Sequence, residues 1–281
     1  DQFVAGAGRL AVVGIDDAEG AALATRHPVV TVGEGDAGYR IVGLRRETRG
    51  TTFRLEHEGM DLGEIHLPVP GAHNARNAAV AAATALEIGA PFADVAAALA
   101  RFGGVARRFE FRGAAAGVDF VDDYAHLPTE VAAALAAGRD TAPQRLVAVF
   151  QPHRYSRTKA CFAEFLDAFS DADTLILTDI YGANEESIDG ITGQVLFDAI
   201  GHSRKQYGAE LAQVAGLLQP GVQSGDIVLC LGAGSIGALP EYLVELFASQ
   251  EVVPNKPVGR CESQAESAQA CRPLSVSTVV N

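Results

Sequence analysis

The sequence predicts an α/β protein whose second half is a Rossmann-like domain on a mostly parallel sheet. From residue 117 onward, short apolar runs alternate with helical stretches, the pattern of parallel strands joined by right-handed crossovers. Polar residues also gather where two of those runs end. Asp122-Asp123-Tyr124-Ala125-His126 follows the strand expected at 118–122, and Gln151-Pro152-His153-Arg154 follows the one at 146–150. Open α/β sheets bind ligands outside the carboxyl ends of their strands, so these two corners point to one shared pocket.

Residues 1–70 read as mixed α/β. Strands are expected at 10–13 and 29–32 around a helix at 19–26. Residues 39–44 and 52–56 alternate about Arg49-Gly50 as a hairpin, and a third strand is expected at 65–69. Pro70-Gly71 closes that sheet, and His73-Asn74-Ala75-Arg76-Asn77 opens an Ala-rich helix reaching about residue 88. Asn74 and Asn77 are three apart and share a face of its first turn, where N–H groups are unpaired and the dipole is positive. Two amides there suit the edge of a heterocycle or a sugar; Asn74 as a plain helix cap is the alternative.

A second helix is expected from Pro91 to about Arg101, and Gly103-Gly104 ends it. The Gly pair reads as a hinge between domains at 1–104 and 105–250. Arg107-Arg108, just beyond, reads either as a solvated edge or as a phosphate clamp between lobes. Further strands are expected at 174–179 and 226–231, and helices at 128–138, 159–169, 192–200, 209–217 and 238–248. Gly232-Ala233-Gly234-Ser235-Ile236-Gly237 matches G-x-G-x-x-G, but it follows the last strand, where a dinucleotide fingerprint would follow the first. A tight strand-to-helix turn is the expectation. Residues 251–281 lack periodicity and read as a disordered tail.

Successive strand residues face opposite sides, so at most one of Asp122 and Asp123 should point into the pocket, where a carboxylate can accept ribose hydroxyls. Arg154 and Arg157, three apart, should share a face of a starting helix and grip carboxylate or phosphate. His126 and His153 read either as members of the same crevice or as structural hydrogen bonders. There is no H-E-x-x-H and no G-x-S-x-G, which speaks against hydrolase chemistry.

Composition narrows the partners. With 35 Asp and Glu against 22 Lys and Arg and no basic run, nucleic acid is not an expected partner. No apolar run approaches the roughly 18 residues of a membrane span. Cys161 and Cys230 sit in apolar patterns as reduced core thiols, which points to the cytoplasm. The chain starts at Asp1 and its only Met is Met60, so it reads as part of a longer translation product.

Five segments together resemble the Mur ligase family of peptidoglycan synthesis. They are Pro70-Gly71-x-His73-Asn74-x-x-Asn77, Phe102-Gly103-Gly104-Val105-x-Arg107-Arg108-Phe109-Glu110, Asp122-Asp123-Tyr124-Ala125-His126-x-Pro128-Thr129-Glu130, Gln151-Pro152-His153-Arg154-Tyr155-Ser156-Arg157-Thr158 and Leu231-Gly232-Ala233-Gly234. The fourth points to the alanine-adding branch. The resemblance implies an ATP- and Mg²⁺-dependent ligase that joins L-alanine to the carboxylate of UDP-N-acetylmuramate through an acyl phosphate. It implies that Asn74 and Asn77 contact adenine, Arg108 the nucleotide across the hinge, and Asp123 the ribose. Tyr124, His126, His153, Arg154 and Arg157 would line the amino-acid and acyl-phosphate site.

Two departures qualify this. Leu127 stands where that branch commonly has a second His. No Gly-Lys-Ser or Gly-Lys-Thr occurs, so the phosphate loop, the UDP-sugar domain and the main magnesium ligands are expected upstream of Asp1. The chain then corresponds to the second half of the central ATPase domain and the whole C-terminal domain, inactive alone. The alternatives are a murein-peptide recycling ligase of the same family, or a non-catalytic binding module.

Overall fold

The structure, a computed structural model, describes residues 1–47 and 50–249. A short helix α1 (Gln2–Ala5) precedes β1 (Val12–Gly14), α2 (Ala18–Arg26) and β2 (Val30–Gly33). Three longer strands follow, β3 (Tyr39–Glu47), β4 (Gly50–His57) and β5 (Met60–Leu67). They form a five-stranded sheet in the order β1-β2-β3-β4-β5, parallel from β1 to β3 and antiparallel beyond. Glu58 and Gly59 both have positive φ, as a tight hairpin turn between β4 and β5 requires.

Helix α3 (Ala72–Glu87) lies on this sheet through Ala75, Ala78, Ala79, Ala82 and Ala83, a stripe of helical period. Its small side chains let the helix approach Phe53, Leu55 and Ile65 closely. Helix α4 (Phe92–Ala100) packs on β5.

The second sheet comprises β6 (Glu110–Ala115), β7 (Val118–Asp123), β8 (Leu146–Phe150), β9 (Thr174–Leu177), β10 (Lys205–Tyr207) and β11 (Ile227–Leu231). Its order is β10-β9-β8-β11-β7-β6, and only β6 runs antiparallel. Every residue of β8 and β11 is buried, as expected of central parallel strands covered on both faces. One face carries α5 (Pro128–Asp140), α7 (Phe162–Phe165) and α8 (Gly193–Ala199), with the short α6 (Tyr155–Ala160) leading into α7. The other carries α9 (Leu211–Leu218) and α10 (Leu239–Ala248). Strand β11 lies between β7 and β8, so its C-terminal turn sits between the two polar corners.

The structure departs from expectation at several places. The helix expected at 159–169 starts earlier, at Tyr155, and breaks at Cys161 (φ −104, ψ 20). The break accommodates Phe165 and Phe169, whose rings both meet Phe150 at 5.3 and 5.2 Å. The strand expected at 65–69 is Met60–Leu67, set by the Glu58-Gly59 turn. Strands β6 and β10 were not expected. Gly113 and a register shift blur the alternation of β6, and β10 is three largely polar residues at a sheet edge. The tail expected to be disordered, 251–281, lies outside the described residues, as does Arg49.

Phe150 is fully buried at the centre of this packing. Phe150→Ala should cost about 3–5 kcal/mol. A lowered urea midpoint at unchanged m-value checks this. Met60→Ala, at a residue 61% exposed, should change stability by less than about 0.5 kcal/mol.

Candidate active site

The linker from Arg107 to Glu110 is fastened to the end of β7. Arg107 donates from Nε to Asp122 Oδ2 at 2.8 Å and from Nη2 to the Gly232 carbonyl at 2.8 Å. Its backbone N–H donates to Glu110, and its carbonyl accepts from Tyr124 N at 2.6 Å. Phe109 N donates to Asp123 Oδ2 at 2.8 Å. Arg107 and Phe109 both hold left-handed backbone (φ 58 and 47), a conformation that persists in such residues only when neighbouring bonds impose it.

Strand alternation now sorts the four charged residues. Asp122 is wholly buried against Arg107. Asp123 faces the other way, into a cleft of about 460 Å³ that also holds Asn74, Asn77, Arg108, Thr129 and Glu130. Of the adjacent arginines, one is structural and the other faces the cleft.

Within the cleft, Asn74 Nδ2 donates to the Pro70 carbonyl at 2.8 Å, so part of its amide acts as a brace, while Asn77 is exposed. Asp123 accepts from Phe109 N and Ala125 N, and acceptor capacity remains on its oxygens. Burial raises the Asp123 pKa, and those two N–H groups together with Arg108 hold the rise back. Burial also pushes Glu130 up, but the N–H groups of His126 and Leu127, with His126 and Arg108, outweigh it and leave Glu130 lowered. Arg108 lies 3.6 Å from Glu130 Oε1 and 5.6 Å over the Tyr124 ring.

Tyr124 begins an aromatic column that joins the two corners. Its ring meets His126 edge-on at 5.3 Å, His126 lies 6.0 Å from His153, and His153 stacks on Tyr181 at 5.6 Å. A backbone bridge pairs His153 with Tyr181, and Arg154 N donates to the Tyr181 carbonyl. The expected paired grip of Arg154 and Arg157 is not formed. Helix α6 starts after Arg154, which has φ 71 and lies 3.9 Å from Glu185, whereas Arg157 turns back to His153 at 2.9 Å.

The G-x-G-x-x-G segment is a turn shaped by side chains. A Cβ on Gly234 would lie 2.6 Å from the Tyr181 ring, and one on Gly237 would lie 2.5 Å from the Arg107 guanidinium. Gln151, buried, bonds across the turn to Ile236 N at 3.0 Å and to Ser235 Oγ at 3.1 Å. Gln151, Tyr181 and Glu185 were not singled out as functional in the sequence. Only Gln151 carried a signal, its place in the Gln-Pro-His-Arg run. Among the described residues no group of three or more His, Cys, Asp or Glu side chains is placed to hold a metal ion, and no helix is long and apolar enough to cross a membrane.

A domain of this fold, with a polar cleft at one strand end and cationic groups at the next, matches a known family. Residues 107–234 match the Mur ligase, glutamate ligase domain. The chain belongs to the Mur ligase family. Within it, the chain is 47% identical over 212 residues to UDP-N-acetylmuramate–L-alanine ligase of Geotalea daltonii, covering 74% of this chain and 46% of that protein. It is 41% identical over 247 residues to the ligase of the same name from Desulfotalea psychrophila, covering 85% and 54%. The crystal structure of UDP-N-acetylmuramate-alanine ligase from Thermotoga maritima superimposes with a TM-score of 0.71 at 26% identity, covering 85% of this chain and 52% of that one. A murein peptide ligase from Psychrobacter arcticus shares the fold at 19% identity (TM-score 0.58). The chain spans about half the length of the curated relatives it matches.

Two outcomes are expected. Asp122→Ala, which leaves Arg107 without its buried partner, should destabilise by about 3–5 kcal/mol in urea unfolding. His73 beside the cleft has its pKa lowered by burial, then by Arg108 and Arg76. The unfolded chain therefore binds the proton first on acidification, so this contribution to stability is complete above about pH 6.5 and is lost as pH falls through the folded value. His73→Gln should flatten the dependence of the urea midpoint on pH between about 7.5 and 5.5.

Proposed function

We propose that this chain provides the nucleoside- and amino-acid-binding half of a ligase that joins L-alanine to the carboxylate of UDP-N-acetylmuramate in the cytoplasm. The observation that carries the reading is the meeting of two sets of groups at Arg108: an amide-and-carboxylate cleft on one side and the Tyr124–His126–His153 column on the other. The names of the relatives support the choice of substrates. A MurF ligase from Thermotoga maritima was crystallised with ADP, which supports nucleotide use at the level of the fold.

The donor set fits a nucleoside. Asn77 and the unengaged oxygen of Asn74 offer an amide face for adenine, and the remaining acceptor capacity of Asp123 suits ribose hydroxyls. Bound ATP would supply the phosphoryl group that activates the carboxylate. The described residues do not fit a protein-built metal centre, and no step is assigned to Mg²⁺ on them. The 281 residues also contain no Gly-Lys-Ser or Gly-Lys-Thr, so the reading needs a phosphate grip from outside them.

For the amine step, the chain's own residues hold charge in place. Arg154 and His153 offer donors at the β8 corner, where an oxyanion of the substrates can be held, and Arg157 fixes the His153 ring in place. Residues 1–104 and 105–250 would act as two lobes about Gly103-Gly104, with Arg108 reaching between them.

The test is nucleotide binding by this chain, followed by calorimetry, together with phosphate release. Asn77→Ala and Arg108→Ala should each weaken adenosine nucleotide binding about tenfold. The chain alone should release no phosphate from ATP with UDP-N-acetylmuramate and L-alanine. Failure to bind nucleotide at millimolar concentration would sink the cleft assignment. Phosphate release by the chain alone would sink the need for an outside phosphate grip.

A further inference from the structure

The two histidines of the column have hydrogen-bond partners of opposite kind at the same ring atom. Nδ1 of His153 lies 2.9 Å from Arg157 Nη1. A guanidinium only donates, so this nitrogen must accept, and the neutral ring carries its proton on Nε2. Nδ1 of His126 lies 2.9 Å from the Tyr124 carbonyl and 3.4 Å from Glu130 Oε2. Both partners are acceptors, so this nitrogen must donate, and the neutral ring is bare at Nε2. Neither Nε2 has a partner among the described residues.

We infer that the two imidazoles are held as opposite tautomers and divide the work of the amine step: His153 donates through Nε2–H to an oxyanion of the substrates, and His126 accepts the ammonium proton at Nε2. This rests on the reading proposed above. Arg157 and Glu130 are then positioning residues that set the two tautomers.

The surroundings agree with the division. His153 is faced by Arg157, His126 and Arg154, with Glu185 as the acidic counterweight, and it is stacked on Tyr181. Burial first, then Arg157, His126 and Arg154, lower its pKa, which suits a neutral donor. Arg157 Nη1 also reaches the His153 carbonyl at 3.3 Å, so ring and backbone of the same residue are held together. His126 is faced by Glu130, Tyr124 and His153, and the Glu130 carboxylate can stabilise the imidazolium once the proton arrives.

The step balances. The ammonium gives one proton to His126, and its freed lone pair forms the C–N bond at the activated acyl carbon. The C–O bond to phosphate breaks, and its electron pair leaves with the phosphate. The second amine proton departs with that phosphate, and His126 later returns its own to water.

The experiment is ¹⁵N-histidine NMR on this chain, with His126→Gln and His153→Gln assigning the signals. At pH 7.5, His153 should show a bare Nδ1 and a protonated Nε2, and His126 the reverse. Arg157→Met should abolish the His153 preference; Arg157→Lys, which keeps a donor, should restore part of it. Equal tautomers, a charged His153, or no response to Arg157→Met would overturn the assignment.

Kinetics on a ligase that includes the phosphate loop separates the roles. His126→Gln should lower kcat about 10²-fold, with KM for L-alanine little changed. His153→Gln should chiefly raise that KM. The reverse split overturns the division of labour. Opposite tautomers without any alanine ligation overturn the functional reading, and the division with it. Ligation with equal tautomers overturns this inference alone.

Discussion

The site depends on the pairing of Arg107 with Asp122. Asp122 has no exposed surface, and an isolated carboxylate there would carry a desolvation cost of several kcal/mol. Arg107 compensates it from the linker, and its second hydrogen bond, to the Gly232 carbonyl, ties in the turn after β11. Three distant pieces of chain are thereby fixed at one point. The left-handed backbone at Arg107 and Phe109 follows from those bonds, and it presents Arg108 to the cleft. Asp123 receives its place from the same pairing: with Asp122 turned to Arg107, the pleat directs its neighbour to the opposite side.

The sheet order explains why the turn after β11 is so tight. Because β11 lies between β7 and β8, its exit stands directly between the corner carrying Tyr124 and His126 and the corner carrying His153. A bulky turn there would separate the two corners. Gln151 holds it down through Ile236 N and Ser235, and the lack of side chains at Gly234 and Gly237 leaves room for Tyr181 and Arg107. The resemblance to a dinucleotide fingerprint thus has a physical origin: both need backbone that other groups can approach closely. Here the approaching groups belong to the protein.

The parts legible in the sequence were those whose signal is local. Buried runs such as Leu146-Val147-Ala148-Val149-Phe150 declare a central strand by composition, and the opposed facing of Asp122 and Asp123 follows from strand geometry alone. What stayed hidden depends on contacts between distant residues. The break at Cys161 is set by two Phe rings meeting Phe150, and β6 is a strand because β7 offers it an edge. The pairing of Arg154 and Arg157 failed for a similar reason. Their spacing is right for one helix face, but Arg154 lies outside the helix in a left-handed conformation held by Tyr181, and Arg157 has a nearer acceptor in His153. Tyr181 and Glu185, from the loop after β9, gave no local sign at all.

The histidine column draws its chemistry from that same non-local assembly. Two copies of the same ring are held as opposite tautomers by what stands at Nδ1, an obligate donor for one and obligate acceptors for the other. Each partner comes from its own corner: Arg157 from the turn of helix following His153, and the Tyr124 carbonyl just after β7 with Glu130 from the first turn of α5. Within each corner the difference is encoded by short spacings in sequence, and the fold needs only to set the corners side by side. The arrangement at β7 and β8 therefore does more than bring polar residues together. It lets two copies of one side chain perform complementary proton chemistry a few ångströms apart.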